Sequence, residues 1–549
     1  MPQVANVRFT GLPGLMLSTL MVFLGCDAAY APVAARDMNG QATGARVAPY
    51  SSLRSDITIE DQGSSLRVSY ELNVEHAELR LGEGSNANPA ETITAATSEL
   101  TVQGRSLTAS RARKTFAIRI EPDADSVGST YPLLSRIPGE GWLLFAPHVL
   151  PPGTVRSVSF IDRAGRRTRV DRKLAQTGYL YLGTKPLRRP GFDLVAARDI
   201  STALLSSALA STDRSIAYYS RKMGRPPVSR PLVVLTHAEG TANRGDVSDN
   251  GVVFIRLART EILSPDAIQF LAHELFHLWT DTLPRDQTDW WLQEGAAEYA
   301  SWLALDEVNS GAPSLSERVS TALKDCSFML QDQQIARLSP MAMSRARYTC
   351  GATAYWLADV AARARGDDVF AVLKETWPTR AAPDAAGLRT RFEEAVGKRS
   401  AEAADVVRQV VSGSGTARWQ ALSRTASSLG AEVQALRPSP FMVRLAATKA
   451  LVLSACGSVT GIGERNGTLF ASSLPDCRIF ADGPTIRSVE GIDPMTAPQQ
   501  YFDLISARCR SGSPVSVELE RAGARTTSKI TCRAPIVPPT PELRVSRAR

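Results

Sequence analysis

Apolar and polar residues alternate with a period of two in "LRVSYEL" (66–72), "TFAIRI" (115–120) and "TVRSVSFI" (154–161). Such alternation puts apolar side chains on one face of an extended chain and predicts half-buried strands. Gly and Pro clusters separate the runs, so residues 65–185 read as a β-rich N-terminal domain, sandwich-like or an open curved sheet. From about 186 the texture changes. Residues 196–224 are alanine-rich and helical in period, "RPLVVLTH" (230–237) and "NGVVFIRLA" (250–258) read as strands, and long helical segments follow to about 435. A mainly helical domain at 186–435 and a third domain of short strands and turns at 436–535 are expected. The whole is an α+β multidomain chain. Residues 32–64, rich in Ala, Gly, Ser and Asp, read as a linker, and 536–549 as a disordered tail.

Composition adds little: 44% hydrophobic and 21% charged residues are ordinary for a globular chain, and the net charge of +8 is modest for 549 residues. A basic run, "RAGRRTRVDRK" (163–173), has no interleaved aromatics and reads as a solvated hairpin, so no nucleic-acid partner is expected. The N-terminus is more informative. Arg8 precedes the apolar stretch "LPGLMLSTLMVFLG" (12–25), which is short for a membrane span and reads as a signal peptide within 1–31. Two processing sites compete. "LGC" (24–26) would make Cys26 a lipidated first residue with a membrane anchor, whereas "AYA" (29–31) would leave Pro32 first. Either way the chain is exported, to the periplasm or as a membrane-anchored lipoprotein. Six further cysteines fall into sequence-local pairs, Cys326 with Cys350, Cys456 with Cys477 and Cys509 with Cys532, separated by 24, 21 and 23 residues. An even number suits an oxidising compartment, and local pairing is one of fifteen connectivities.

The chemistry sits in "LAHELFHLWT" (271–280). Ser264-Pro265-Asp266 is a helix start: a capping serine, a proline at the first position and an acid in the first turn. Ile268, Leu271, Leu275 and Leu278 carry the helix through the motif, which puts His273 and His277 one turn apart on one face. Both imidazoles can reach one ion, with Glu274 beside them aimed at a water. A second helix, "DWWLQEGAAEYASWLAL" (289–305), begins near Asp289 and bears Glu294 after sixteen intervening residues. Glu294 and Glu298 share a face beside Trp290, Trp291 and Trp302, an apolar setting that favours pairing or metal binding. Glu294 can complete a His-His-Glu site for Zn²⁺ with one position open, and Glu298 can hold a ligand histidine by its second nitrogen.

"HELFHLW" followed by "WWLQEGAAEY" resembles the gluzincin metallopeptidases, in particular the glycyl aminopeptidase family, which is related to aminopeptidase N. The resemblance implies a β domain, a thermolysin-like catalytic domain and, at 436–535, a PDZ-like domain whose later half is matched by "DGPTIRSVEGIDPMTAPQQYFDLISARCRSGSPVSVELERAG" (482–523). It implies zinc-dependent hydrolysis of peptide or protein substrates with Glu274 as general base. "YTCGATAYWLADV" (348–360) resembles the family's tyrosine segment, making Tyr348 the donor to the oxyanion, with Cys350 where the family commonly has lysine. A disulfide to Cys326 would then brace that loop. The related group's G-x-M-E-N strand, whose glutamate holds the substrate amine, is matched here by "GDVSDNGVVFIRL" (245–257). Asp249 is the residue that could replace the glutamate, or it shapes a turn. Two other classes compete: a peptide-binding scaffold without catalysis, and a zinc hydrolase of a non-peptide substrate. Nothing in the sequence specifies oligomeric state.

Overall fold

The computed structural model describes residues 53–547 except for short stretches, the longest being 83–91, 123–131, 281–288, 379–384 and 472–476. The signal segment and Cys26 lie outside the described residues.

Ten strands form the N-terminal part: β1 (Arg54–Asp61), β2 (Leu66–Arg80), β3 (Ile93–Ala95), β4 (Leu100–Gln103), β5 (Ser106–Ile120), β6 (Leu134–Ile137), β7 (Gly141–Phe145), β8 (Thr154–Ile161), β9 (Arg167–Val170) and, after the short helix α1 (Arg172–Thr177), β10 (Tyr179–Gly183). One sheet runs β3-β5-β2-β1-β8-β9, with β4 also on β5, and a smaller sheet runs β10-β7-β6. Side chains of both meet in one core, Ile57, Ile59, Val68 and Ile118 against Trp142, Leu144, Leu180 and Leu182. The smaller sheet turns its opposite face, Ile137, Leu143 and Tyr179, to the core of the next domain. It is therefore shared by two cores and seats the sandwich on the next domain.

The expected linker ends too late. Residues 54–61 are β1, which pairs with both β2 and β8. "DITIE" alternates, and Ile57 and Ile59 are each 1% exposed; the Ala/Gly/Ser composition before it masked a period-two signal. The basic run forms β9 and its turn, where Asp162 accepts from the Arg166 guanidinium and backbone.

The next sheet is β11 (Leu187–Arg188), β12 (Asp193–Ala196), β13 (Leu232–His237), β14 (Arg244–Val247) and β15 (Val252–Leu257), with α2 (Thr202–Met223) crossing between β12 and β13. Its order is β11-β12-β13-β15-β14. The strands β12, β13 and β15 are parallel, and β14 is an antiparallel edge. All six residues of β15 are buried, as a strand covered on both faces requires. Helices follow: α3 (Pro265–Phe276), α4 (Trp291–Glu307), α5 (Leu315–Leu330), α6 (Pro340–Arg363), α7 (Val369–Thr376), α8 (Ala385–Gly397), α9 (Ala401–Ser412) and α10 (Ala417–Ser428). Among the described residues no helix is long and apolar enough to cross a membrane.

After β16 (Glu432–Leu436) come α11 (Pro440–Cys456), β17 (Ile462–Arg465), β18 (Thr468–Ala471), β19 (Thr485–Val489), α12 (Pro498–Ser511), β20 (Pro514–Arg521) and β21 (Ala524–Thr531), a five-stranded antiparallel sheet with two helices and its own core. The tail corrects another expectation. Residues Glu542–Arg547 form β22, antiparallel to β16. Leu543 and Val545 enter the core of the central domain, and the Val545 amide donates to Ser320 Oγ on α5 at 2.9 Å. The alternation of "ELRVS" is the signal, obscured by the prolines before it. Disulfides join Cys326–Cys350, Cys456–Cys477 and Cys509–Cys532. The first links α5 to α6, two helices, and does not brace a loop.

Candidate metal centre

Ser264 caps α3, its hydroxyl accepting from the Ala267 amide at 3.2 Å, with Pro265 in the first turn. The helix proper ends at Phe276, two residues sooner than the Leu278 periodicity implies, and His277–Trp279 continue as a 3-10 turn. The two imidazoles still lie on one side, with ring centroids 5.1 Å apart. Two anchors fix this end of the helix. Tyr219 of α2 donates to the Ala272 carbonyl at 3.1 Å, and Trp279 Nε1 donates to the Arg225 carbonyl at 3.0 Å.

Glu294 enters from the first turn of α4. Its Oε2 is 3.2 Å from His273 Nε2 and 3.7 Å from His277 Nε2. Ligand atoms of the three residues lie within 4.8 Å of one another. The side chains are 5%, 8% and 12% exposed. Two neutral-capable imidazoles and a carboxylate converging at this distance, sheltered but not sealed, are a donor set that fits a tetrahedral Zn²⁺ with one position to spare. Outside them, Glu298 Oε2 lies 3.0 Å from His273 Nδ1, as the second-nitrogen role requires. Gln293 Nε2 and Thr280 Oγ1 approach His277 Nδ1 at 3.4 and 3.5 Å.

Glu274 points toward the edge strand. Gly245 of β14 passes so close that a Cβ there would fall 2.6 Å from Glu274 Cδ and 2.8 Å from Phe270 Cζ. Glycine leaves the Glu274 carboxyl in this place; a Cβ on residue 245 would make it shift. Beside it, Arg256 and Asp246 form a buried ion pair at 3.0 Å. Tyr348 arrives from the middle of α6, not from its opening turn, and its ring centroid is 5.4 Å from that of His273. It stands there because α4 and α6 cross at glycines: a Cβ on Gly351 would lie 2.6 Å from Gly295 Cα. The disulfide at Cys350 and the Arg347 guanidinium, 4.2 Å above the Trp290 ring, hold the same stretch.

The electrostatics follow from this crowding. Burial opposes a charge on His273, but its hydrogen bonds to Glu294 and Glu298 overcome that and raise it to about 10. Burial also opposes ionisation of Glu294, yet the charges and hydrogen bonds of His277 and His273 hold its carboxyl well below the ordinary range. Glu274 is pushed up, mainly by burial, with the two histidines pulling the other way. The Glu294 charge, then burial, lifts the Tyr348 phenol far above its usual value, so it keeps its proton and can donate.

The structure thus gathers His273, His277, Glu294, Glu274, Glu298 and Tyr348. It does not gather Asp249, which is exposed in the turn between β14 and β15. That position is four residues beyond Gly245, where β14 meets Glu274, roughly 13 Å along an extended chain. Gly245, Gln269 and Arg347 were missed. Gln269 had a signal, since Gln269, His273 and His277 recur every four residues.

No family model matches the chain's sequence, and comparison with curated proteins finds no similar one. Among solved structures, the fold is similar to that of an aminopeptidase N family protein from Idiomarina loihiensis, at 13% identity and a TM-score of 0.53, covering 90% of this chain and 98% of that one. A weaker likeness links it to an M1 zinc metallopeptidase from Deinococcus radiodurans, at 14% identity and a TM-score of 0.36, over 66% of this chain and 93% of that one. Yeast LTA4 hydrolase is similar at 12% identity and a TM-score of 0.42, over 76% and 75%. At such identities the first of these speaks for the fold alone.

Proposed function

We propose that this chain is an exported zinc metallopeptidase that hydrolyses peptide bonds. The observation that carries this is the convergence of His273, His277 and Glu294, with the Tyr348 ring 5.4 Å from that of His273 and Glu274 next to His273 on α3. The three ligands would hold Zn²⁺, which when bound supplies a Lewis acid that polarises a carbonyl and makes water acidic. Glu274 takes the proton of the attacking water and returns it to the leaving amine. Its placement against Gly245 sets the carboxylate beside β14, the outer strand of its sheet, along which an extended peptide can run. Tyr348, held protonated, donates to the carbonyl oxygen as negative charge develops there. Glu298 fixes the orientation of His273.

Export is supported by three disulfides, and the anchor at Cys26 remains part of the proposal. We read the C-terminal unit as PDZ-like and used for packing: Phe328 of α5 packs against its core, and Phe328 and Phe441 rings lie 6.3 Å apart. The test is a mixed peptide library with free and acetylated N-termini, with and without chelator. Chelator-sensitive cleavage supports a peptidase, and cleavage of blocked peptides excludes a strict amine requirement. A zinc-loaded protein that cleaves no peptide overturns the proposal in favour of a scaffold or a non-peptide hydrolase.

A further inference from the structure

We infer that Arg318 and Gln269 are positioning residues for the metal ligand His273, acting through Glu298. This rests on the zinc site proposed above. Glu298 lies on α4 and accepts three hydrogen bonds. His273 Nδ1 is 3.0 Å from Oε2, and Gln269 Nε2 and Trp302 Nε1 donate to Oε1 at 2.9 and 3.2 Å. Gln269, one turn before His273 on α3, offers its other end, Oε1, to Nη1 of Arg318 on α5. Arg318 is 8% exposed and is held in place by donation from Nε to the Pro313 carbonyl at 2.9 Å.

The chain has a single polarity. An amide set between a guanidinium and a carboxylate must turn its oxygen to the cation and its nitrogens to the anion. With its nitrogen on Glu298 Oε1, where Trp302 Nε1 also donates, the amide fixes that carboxylate and leaves Oε2 aimed at His273 Nδ1. A carboxylate so held accepts from Nδ1–H and sets the orientation of the ring. In the neutral ring that a metal requires, the lone pair is then on Nε2, the nitrogen that faces Glu294 and the rest of the ligand cluster. A guanidinium on α5 thereby selects the ligating tautomer of a histidine on α3. The helix bearing Arg318 is itself tied at Cys326 to α6 and at Ser320 to β22.

Zinc affinity of the full chain, measured by competition with a chromogenic chelator, tests this, with the thermal midpoint of the metal-free protein as a folding control. Glu298→Gln is expected to weaken zinc about 10–100-fold and Arg318→Met about 10-fold, the range for groups behind a metal ligand. Arg318→Lys is expected to recover part of the loss. In the Glu298→Gln background, Arg318→Met is expected to cost nothing more, because residues on one hydrogen-bond chain do not add. Wild-type affinity in folded Arg318→Met overturns the inference, and so do losses that multiply in the double variant. Where Arg318→Met does not fold, Gln269→Met asks the same question from α3, and unchanged affinity there is equally fatal. A parent chain that binds no zinc overturns the metallopeptidase proposal as well. A parent that binds zinc as its variants do overturns this inference alone.

Discussion

Replacing Gly351 by alanine tests whether the close crossing of α4 and α6 builds the site. The added Cβ would stand 2.6 Å from Gly295 Cα and 3.0 Å from Gly295 N, and it would also press on the Trp291 carbonyl. Ordinary carbon contact begins near ~3.5 Å, so the helices must part by roughly 1 Å. Every opposing atom is backbone, and none can rotate away. Two effects then compete. Alanine in a helix interior is favoured over glycine by about 1 kcal/mol. Overpacking of a tight core contact costs about 1–3 kcal/mol. The clash is expected to win, lowering stability by up to about 2 kcal/mol. Function should suffer more, because Glu294 and Tyr348 sit on opposite sides of the crossing. A displacement near 1 Å is expected to lower kcat/KM by about 100-fold. Urea unfolding and peptide kinetics on the zinc-loaded protein measure both. Gly397→Ala is the control: at the end of α8 its Cβ meets nothing nearer than 3.8 Å, so it is expected to be neutral or stabilising. A Gly351→Ala protein with undiminished stability and turnover refutes the crossing as the feature that sets this geometry.

Other expectations are simpler. Glu274→Gln should abolish turnover while metal analysis still finds one zinc per chain; normal activity rules out Glu274 as the base. Tyr348→Phe should cut kcat by about 100–1000-fold, about 2.7–4 kcal/mol, with KM little changed, and equal losses in both would assign it to positioning. Because His273 is raised to about 10, the metal-free protein keeps that proton below pH 10, and a ligating Nε2 cannot. Zinc binding at pH 8 should therefore release at least one proton, and apparent affinity should rise with pH; calorimetric heats that do not vary with buffer ionisation enthalpy would contradict this. Removing the Cys326–Cys350 link by double serine substitution should cost about 3 kcal/mol in denaturant unfolding, given a 24-residue separation.

Local periodicity and spacing were enough for much of the chain. The run "PDAIQFLAHELFH" carries its own cap, its own apolar stripe and two imidazoles on one face, and the structure builds it that way up to Phe276. Glu294 and Glu298 were legible for the same reason, since four-residue spacing in a helix is set by the backbone hydrogen bond. Grouping of the six cysteines anticipated the three pairs in the structure. Composition misled at the ends of the chain: Ala/Gly/Ser-rich and Pro-rich surroundings hid β1 and β22, whose alternating residues become strands only because distant partners exist.

Contacts between segments far apart in sequence belong to the tertiary structure. That Tyr348 faces His273, that Gly245 yields to Glu274, and that Arg318 reaches Glu298 through Gln269 all depend on how helices and strands cross. No local pattern encodes a crossing, because its geometry is decided by side chains on both partners at once. The ligand spacing within α3 and α4 was written in the chain; the convergence of the two helices on one cluster was decided by packing.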